Sequence, residues 1–274
     1  MKTAVKILRH FLLTLIPVFG CIAISAQAKI PSDIFQNVTS NNLFSEVLNE
    51  ERTLFIYLPE SYTEEKSYPV LYLLDGEMTG PYEEALTTVK GSDIREHIIV
   101  GIKTNINRNR DMIPVKIETR EGSGGAEQFL KFLTSELIPF INSNYRTSGF
   151  NILYGASNAG LFTIYALLKA PESFDAYLSS SSMIGHCPDY MNKLAEQTEP
   201  GLLDHKILYI HWGMKDYFPQ VTEYLPGYYK KLIGLFEGSL ITDIKGLAEG
   251  EHVPPGGILE GMKFIYENVN STPE

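Results

Sequence analysis

Asn151-Ile152-Leu153-Tyr154-Gly155-Ala156-Ser157-Asn158-Ala159-Gly160-Leu161-Phe162 joins an apolar, strand-like run to a helix-like one through a turn of small residues that carries one serine. The apolar helix from Leu161 to Lys169 ends at Ala170-Pro171, as a residue without an N–H requires. A serine between small neighbours at a strand-to-helix turn is the context of a nucleophile elbow. The small residues are needed because the backbone is crowded there and the serine's dihedrals are strained. The following helix aims its N-terminus at the site and favours developing negative charge. The usual spacing puts glycine two before and two after the serine. Here Gly155 fits, but Ala159 takes the second place and the glycine follows at Gly160. Taken alone, the stretch also reads as a glycine-rich turn with a capping serine.

Further strand-like runs flank this one at Arg52 to Leu58, Tyr68 to Leu74, His97 to Ile102, Ala176 to Ser180, Ile207 to Trp212 and Leu240 to Gly246. Tyr68 to Leu74 is almost continuously apolar, which places it inside a sheet covered on both faces. Helical patterns lie between them. Residues 125–142 set Phe129, Phe132, Leu133, Leu137 and Phe140 at helical spacing, with Pro139 expected to kink the helix or end it early. Residues 217–236 read as a helical region interrupted near Pro226-Gly227, and Ile258 to Asn268 as a final amphipathic helix. Alternating strands and helices predict an α/β fold, with a mostly parallel central sheet covered by helices on both faces.

A serine hydroxyl needs a base, and the base needs an orienting acid. In this fold the chain order is serine, acid, histidine. Of the histidines after Ser157, His211 falls inside a strand and His205 at the opposite end of the sheet. His186 follows the strand Ala176 to Ser180 and remains the second choice as base, or a substrate contact. His252, in the loop after the last strand, stands where the base belongs. Asp216 lies just past the strand Ile207 to Trp212 and fits the acid; it also fits an N-cap, and Asp189 and Glu223 are weaker candidates. A tetrahedral intermediate needs two backbone donors. They are expected from Asn158 and from Glu77 in the Asp75-Gly76-Glu77 turn after Tyr68 to Leu74.

The 274 residues are 44% hydrophobic and 11% aromatic, proportions that exclude a mainly disordered chain. The formal charge of −10 argues against nucleic acid as a partner. Residues 1–28 read as a secretory signal: Lys2, Lys6 and Arg9, an apolar run, then Ser25-Ala26-Gln27-Ala28. Cleavage after Ala28 removes three basic residues and no acidic one, taking the charge from −10 to −13. It leaves residues 29–274 as one domain in the periplasm or secreted, with no stable membrane insertion. Val18-Phe19-Gly20-Cys21 loosely matches a lipobox, so a lipid anchor at Cys21 is the alternative. Cys187 would then have no disulfide partner, and reads as a small buried hydrophobe.

These pieces together resemble the esterase family of α/β-hydrolases that includes enterochelin esterases, esterase D, feruloyl esterase domains and mycolyltransferases. The resemblance runs through Tyr68 to Gly76, Val100-Gly101-Ile102, Arg110-Asp111, Gly124 to Leu130, Glu136 to Ile141, the elbow, Phe174 to Tyr177, Glu251-His252-Val253 and Gly261 to Tyr266, in family order. It implies a Ser157, Asp216, His252 triad, oxyanion donors at Glu77 and Asn158, a small-molecule ester as substrate, and neither metal nor organic cofactor. Two departures stand out. Ala159 replaces a glycine, and Ser179-Ser180-Ser181-Ser182-Met183 stands where many members carry a serine-proline motif that shapes the pocket. The expected activity is a serine esterase acting through an acyl-enzyme, on a siderophore or on acyl-sugar or phenolic esters. An acyltransferase on the same triad and a non-catalytic binding protein on the same fold are the alternatives. Arg108 and Arg110 are candidates for substrate contact, or for pairing with nearby carboxylates.

Overall fold

The computed structural model describes residues 37–91, 93–247 and 250–269; the expected signal segment, Cys21 and residues 29–36 lie outside these. Eight strands form one sheet in the order β1-β2-β4-β3-β5-β6-β7-β8. They are β1 (Val38–Ser45), β2 (Glu50–Tyr57), β3 (Tyr68–Leu74), β4 (Ile98–Ile102), β5 (Thr147–Ala156), β6 (Ala176–Ser180), β7 (Ile207–Gly213) and β8 (Ile241–Leu247). β1, β2 and β4 pair antiparallel, and everything from β4 to β8 runs parallel. The sequence pattern misses β1, because Val38-Thr-Ser-Asn-Asn-Leu-Phe-Ser45 is a polar edge strand with little apolar alternation.

The period of two divides each central strand between two cores. Val70, Tyr72 and Leu74 face one, together with Phe129 and Phe132 of α3 (Ala126–Phe132) and the apolar side of α5 (Asn158–Lys169). α6 (Pro188–Gln197) and α8 (Leu225–Leu235) add Met191, Tyr229 and Leu232 to this side. Leu71 and Leu73 face the other core, beneath α1 (Thr79–Gly91) and α9 (Gly257–Val269). β3, β4 and β6 are buried almost throughout, as strands covered on both sides must be. Each fully buried large apolar side chain contributes about 1.5–3 kcal/mol.

Pro139 does not end its helix. A π-helical turn at Leu133–Leu137 precedes it, and α4 (Ile138–Asn144) starts with the proline in its first turn. The wider turn accommodates the missing donor and the ring, which would otherwise strike a carbonyl of the preceding turn. The helical region 217–236 is interrupted as expected: the short α7 (Pro219–Thr222) ends before α8, which opens with Pro226 in its first turn. The remaining helix, α2 (Arg108–Met112), follows β4.

Two histidines are structural. His97 is fully buried; its Nδ1 meets the Arg95 carbonyl, so that nitrogen carries the proton, and Nε2 accepts from Tyr266 Oη at 2.6 Å. His211 on β7 meets Ser180 Oγ at 3.0 Å. Burial lowers both from an ordinary 6.5 to about 4. A lowered folded pKa means stability that is complete above about 6.5 and is lost as pH falls toward about 4. Urea unfolding between pH 7 and pH 5 should therefore lose on the order of 2 kcal/mol per buried histidine. The pH slope should be shallower in His211→Asn than in wild type; equal slopes would contradict the assignment.

Candidate active site

The site stands at the C-terminal edge of the parallel strands, where β3, β5, β6, β7 and β8 each hand over to a loop. At the end of β5, Ser157 has φ 61° and ψ −120°, a conformation that costs a non-glycine residue about 1–3 kcal/mol. The neighbouring packing enforces it. A Cβ on Gly155 would sit 2.3 Å from the Ala159 carbonyl oxygen, and one on Gly160 would sit 2.7 Å from that of Ser180. The glycine displaced from its usual place is thus needed where it stands, against β6. Ala159 turns its methyl into the core. Ser157 N–H donates to Ser180 O at 2.9 Å, and Met183 N–H donates to Ser157 O at 3.2 Å.

The four serines that close β6 and follow it, Ser179 to Ser182, are fully buried. Ser179 Oγ donates to Gly160 O at 3.2 Å and shares a short hydrogen bond with Ser182 Oγ. Ser182 Oγ accepts from Tyr229 Oη at 3.1 Å, and Ser181 Oγ accepts from Val253 N–H at 3.3 Å. This turn is a polar spacer bonded to the backbone of Ser157 on one side and to the residue after His252 on the other.

The loops after β7 and β8 are stitched together. Met214 N–H donates to Leu247 O and Lys215 N–H to Gly250 O, both at 3.0 Å. Gly213 must be glycine, because a Cβ there would lie 1.9 Å from Glu251 O. Across this seam His252 Nδ1–H donates to Asp216 Oδ2 at 2.7 Å. The Asp216 side chain is fully buried and that of His252 is 15% exposed. The other carboxylate oxygen accepts from Phe218 N–H at 2.9 Å, so Asp216 serves both the local turn and the imidazole. Phe218 packs edge-on against His252, with ring centroids 4.7 Å apart. Among the described residues no hydrogen bond joins Ser157 Oγ to His252; such bonds often tighten only with substrate present.

Neither the Glu77 N–H nor the Asn158 N–H has a hydrogen-bond partner among the described residues. Asn158 opens α5, and Glu77 follows a tight turn in which Asp75 has φ 56°. Gly76 is required there, since a Cβ would lie 2.4 Å from the Gly101 backbone. Two unengaged amides, one in the loop after β3 and one at the start of α5, are donors of the kind an oxyanion needs.

Arg108 and Arg110 are both paired. Arg110 binds Glu50 and Asp111, its hydrogen bonds to Glu50 holding that carboxyl below its ordinary pKa. Arg108 grips Asp75 through two nitrogens. His186 sits on a short turn after β6, apart from the Asp216 contact; burial, then the charge of Arg120, lowers its pKa to about 4. Burial pushes the Cys187 thiol up to about 12, so it is protonated and inert. Sequence reading missed the roles of Asp75, Thr104 and the serine turn. A run of four serines closing an apolar strand was the available signal, since buried hydroxyls must find partners.

The chain belongs to the esterase family whose model, described as "Putative esterase", matches residues 45–223. That span includes Ser157 and Asp216; His252 lies beyond it. Ferri-bacillibactin esterase BesA of Bacillus subtilis (strain 168) is 31% identical over 160 residues, 50% of this chain and 55% of that protein. The siderophore enterobactin esterase of Emericella nidulans is 42% identical over 67 residues, 23% of this chain and 22% of that protein. The chain thus matches about half, or less, of the length of these curated relatives. The IroE-like serine hydrolase from Shewanella oneidensis superposes with a TM-score of 0.71 at 27% identity, covering 85% of this chain and 78% of that one. The fold is that of the α/β-hydrolases, as expected.

The Asp216–His252 hydrogen bond predicts a protected imidazole N–H proton far downfield in the proton NMR spectrum. It should vanish in Asp216→Ala while the fold, followed by amide dispersion, is kept. An unchanged resonance would contradict the pairing.

Proposed function

We propose that this chain is a serine esterase that cleaves carboxylic esters through an acyl-enzyme. The observation that carries the reading is the 2.7 Å contact of His252 Nδ1 with a fully buried Asp216 carboxylate, in a loop tied by one turn of serines to a serine at φ 61°. Ser157 Oγ attacks the ester carbonyl and forms the C–O bond while His252 Nε2 takes its proton. Asp216 holds the tautomer and stabilises the imidazolium. The Glu77 and Asn158 amides donate to the oxygen that becomes negative. Collapse expels the alkoxide, which takes the proton from His252. Water, deprotonated by the same nitrogen, then releases the acid and restores the serine.

The rim and the relatives support a substrate class. Met78, Ile106, Met214 and Tyr217, each at least half exposed, stand on the loops after β3, β4 and β7. An open groove of about 580 Å³ is lined by Ile106, Arg108, Arg110 and Glu121 among others. With Arg108 and Arg110 paired, this rim suits esters that carry planar aromatic groups. Relatives named as siderophore esterases support a siderophore-type ester. The basic, apolar, small-residue order of residues 1–28 supports export to the periplasm or beyond. Among the described residues no helix is long and apolar enough to cross a membrane.

A p-nitrophenyl ester series, compared with aromatic acyl esters, tests this. Wild type should turn over both, with lower KM for the aromatic esters. Ser157→Ala should lose about 10³-fold or more in kcat. Comparable hydrolysis by wild type and Ser157→Ala would refute the reading.

A further inference from the structure

One guanidinium bonds both to the turn that precedes Glu77 and to the end of the strand that precedes Ser157. Arg108, at the start of α2, donates from Nε to Asp75 Oδ1 and Oδ2 at 2.9 and 3.0 Å and from Nη2 to Asp75 Oδ2 at 2.7 Å. The same Nη2 reaches the carbonyl of Ala156, the residue before the nucleophile, at 3.3 Å. Asp75 is 3% exposed and also accepts a short hydrogen bond from Thr104 Oγ1. Thr104 N–H donates to Glu77 Oε2 at 3.2 Å. The segment after β4 therefore holds the Asp75–Glu77 turn by both of its carboxylates, and through Arg108 it also reaches the strand end before the elbow. The segment is itself anchored: Arg110 is clamped by Glu50 and Asp111, and Arg52 binds the fully buried Asp111 side chain at 2.6 Å.

We propose that Arg108 is a positioning residue that sets the spacing between the Glu77 and Asn158 amides, rather than a cation for the substrate. The proposal rests on the esterase reading of the site. The turn has a non-glycine residue at φ 56°, and the elbow has one at φ 61°; each keeps its form only if its surroundings over-determine it. A bidentate, planar guanidinium imposes direction as well as distance. A lysine could bond to Asp75 or to Ala156 O, but would not lock the angle between them. Because the oxyanion forms only in the transition state, loss of this spacing should fall on kcat, and loss of a substrate contact on KM.

The test uses Arg108→Gln and Arg108→Lys, with thermal unfolding to confirm that each folds. Steady-state kinetics on a neutral and a carboxylate-bearing aryl ester should show kcat reduced on the order of 10²-fold for both in Arg108→Gln. KM should stay within about threefold, and Arg108→Lys should fall between. In parallel, amide hydrogen exchange should show lost protection at Gly76 and Met78, which are bonded to the Ile102 and Asp75 carbonyls. A KM rise confined to the anionic ester would overturn the proposal in favour of substrate binding. So would unchanged kcat with unchanged exchange. If wild type hydrolyses no ester, the esterase reading fails by itself. Exchange in the variants then still decides whether Arg108 holds the turn: unaltered protection overturns that, and lost protection upholds it.

Discussion

The backbone of Ser157 is held at a positive φ, and the rest of the site depends on that constraint. A serine on a regular strand or helix would point along the sheet or into the core. Here the chain reverses within one residue, which requires Gly155 to lie against the Ala159 carbonyl and Gly160 against that of Ser180. The cost of the strained residue is offset by the packing of β5 and α5, which are buried over residues 151–155 and 158–168. Loosening either close approach would let the serine relax out of reach of the histidine loop.

From that point the site extends by hydrogen bonds rather than by apolar contact. The buried turn Ser179 to Ser182 links the elbow to β7 and to the base loop, and every hydroxyl in it has a partner. Burying four hydroxyls without partners would cost several kcal/mol. With partners, they define one arrangement of five loops. The acid and base loops add a second seam through Met214, Lys215 and Gly213, and the Asp75 turn adds a third through Thr104 and Arg108. Among the described residues, these seams tie together loops that lie far apart in the chain.

Much of this was legible in the residues. Tyr68 to Leu74 and Ala176 to Ser180 match their strands, because runs that are apolar on both faces admit few other structures. The elbow could be read from its small residues, and His252 from chain order. Asp216 could be placed but not resolved between cap and triad acid; one carboxylate oxygen accepts from Phe218 N–H within the local turn and the other meets His252, while the helix that follows starts from Phe218 with no side-chain cap. Pro139 misled the helix reading, because sequence periodicity cannot show that a π-helical turn will absorb it. The pairing of Arg108 with Asp75 joins residues 33 apart that no local pattern connects. The serine run was visible, but its partners lie on four other elements.

The proposed mechanism requires one oxygen of a tetrahedral adduct at Ser157 to be held by the Glu77 and Asn158 amides. A crystal structure of the chain after reaction with an alkyl phosphonate tests it most directly. Phosphorus is expected on Ser157 Oγ, with the phosphoryl oxygen within about 2.7–3.1 Å of both amide nitrogens and His252 still bonded to Asp216. An unmodified Ser157, or an adduct whose oxygen faces neither amide, would contradict it.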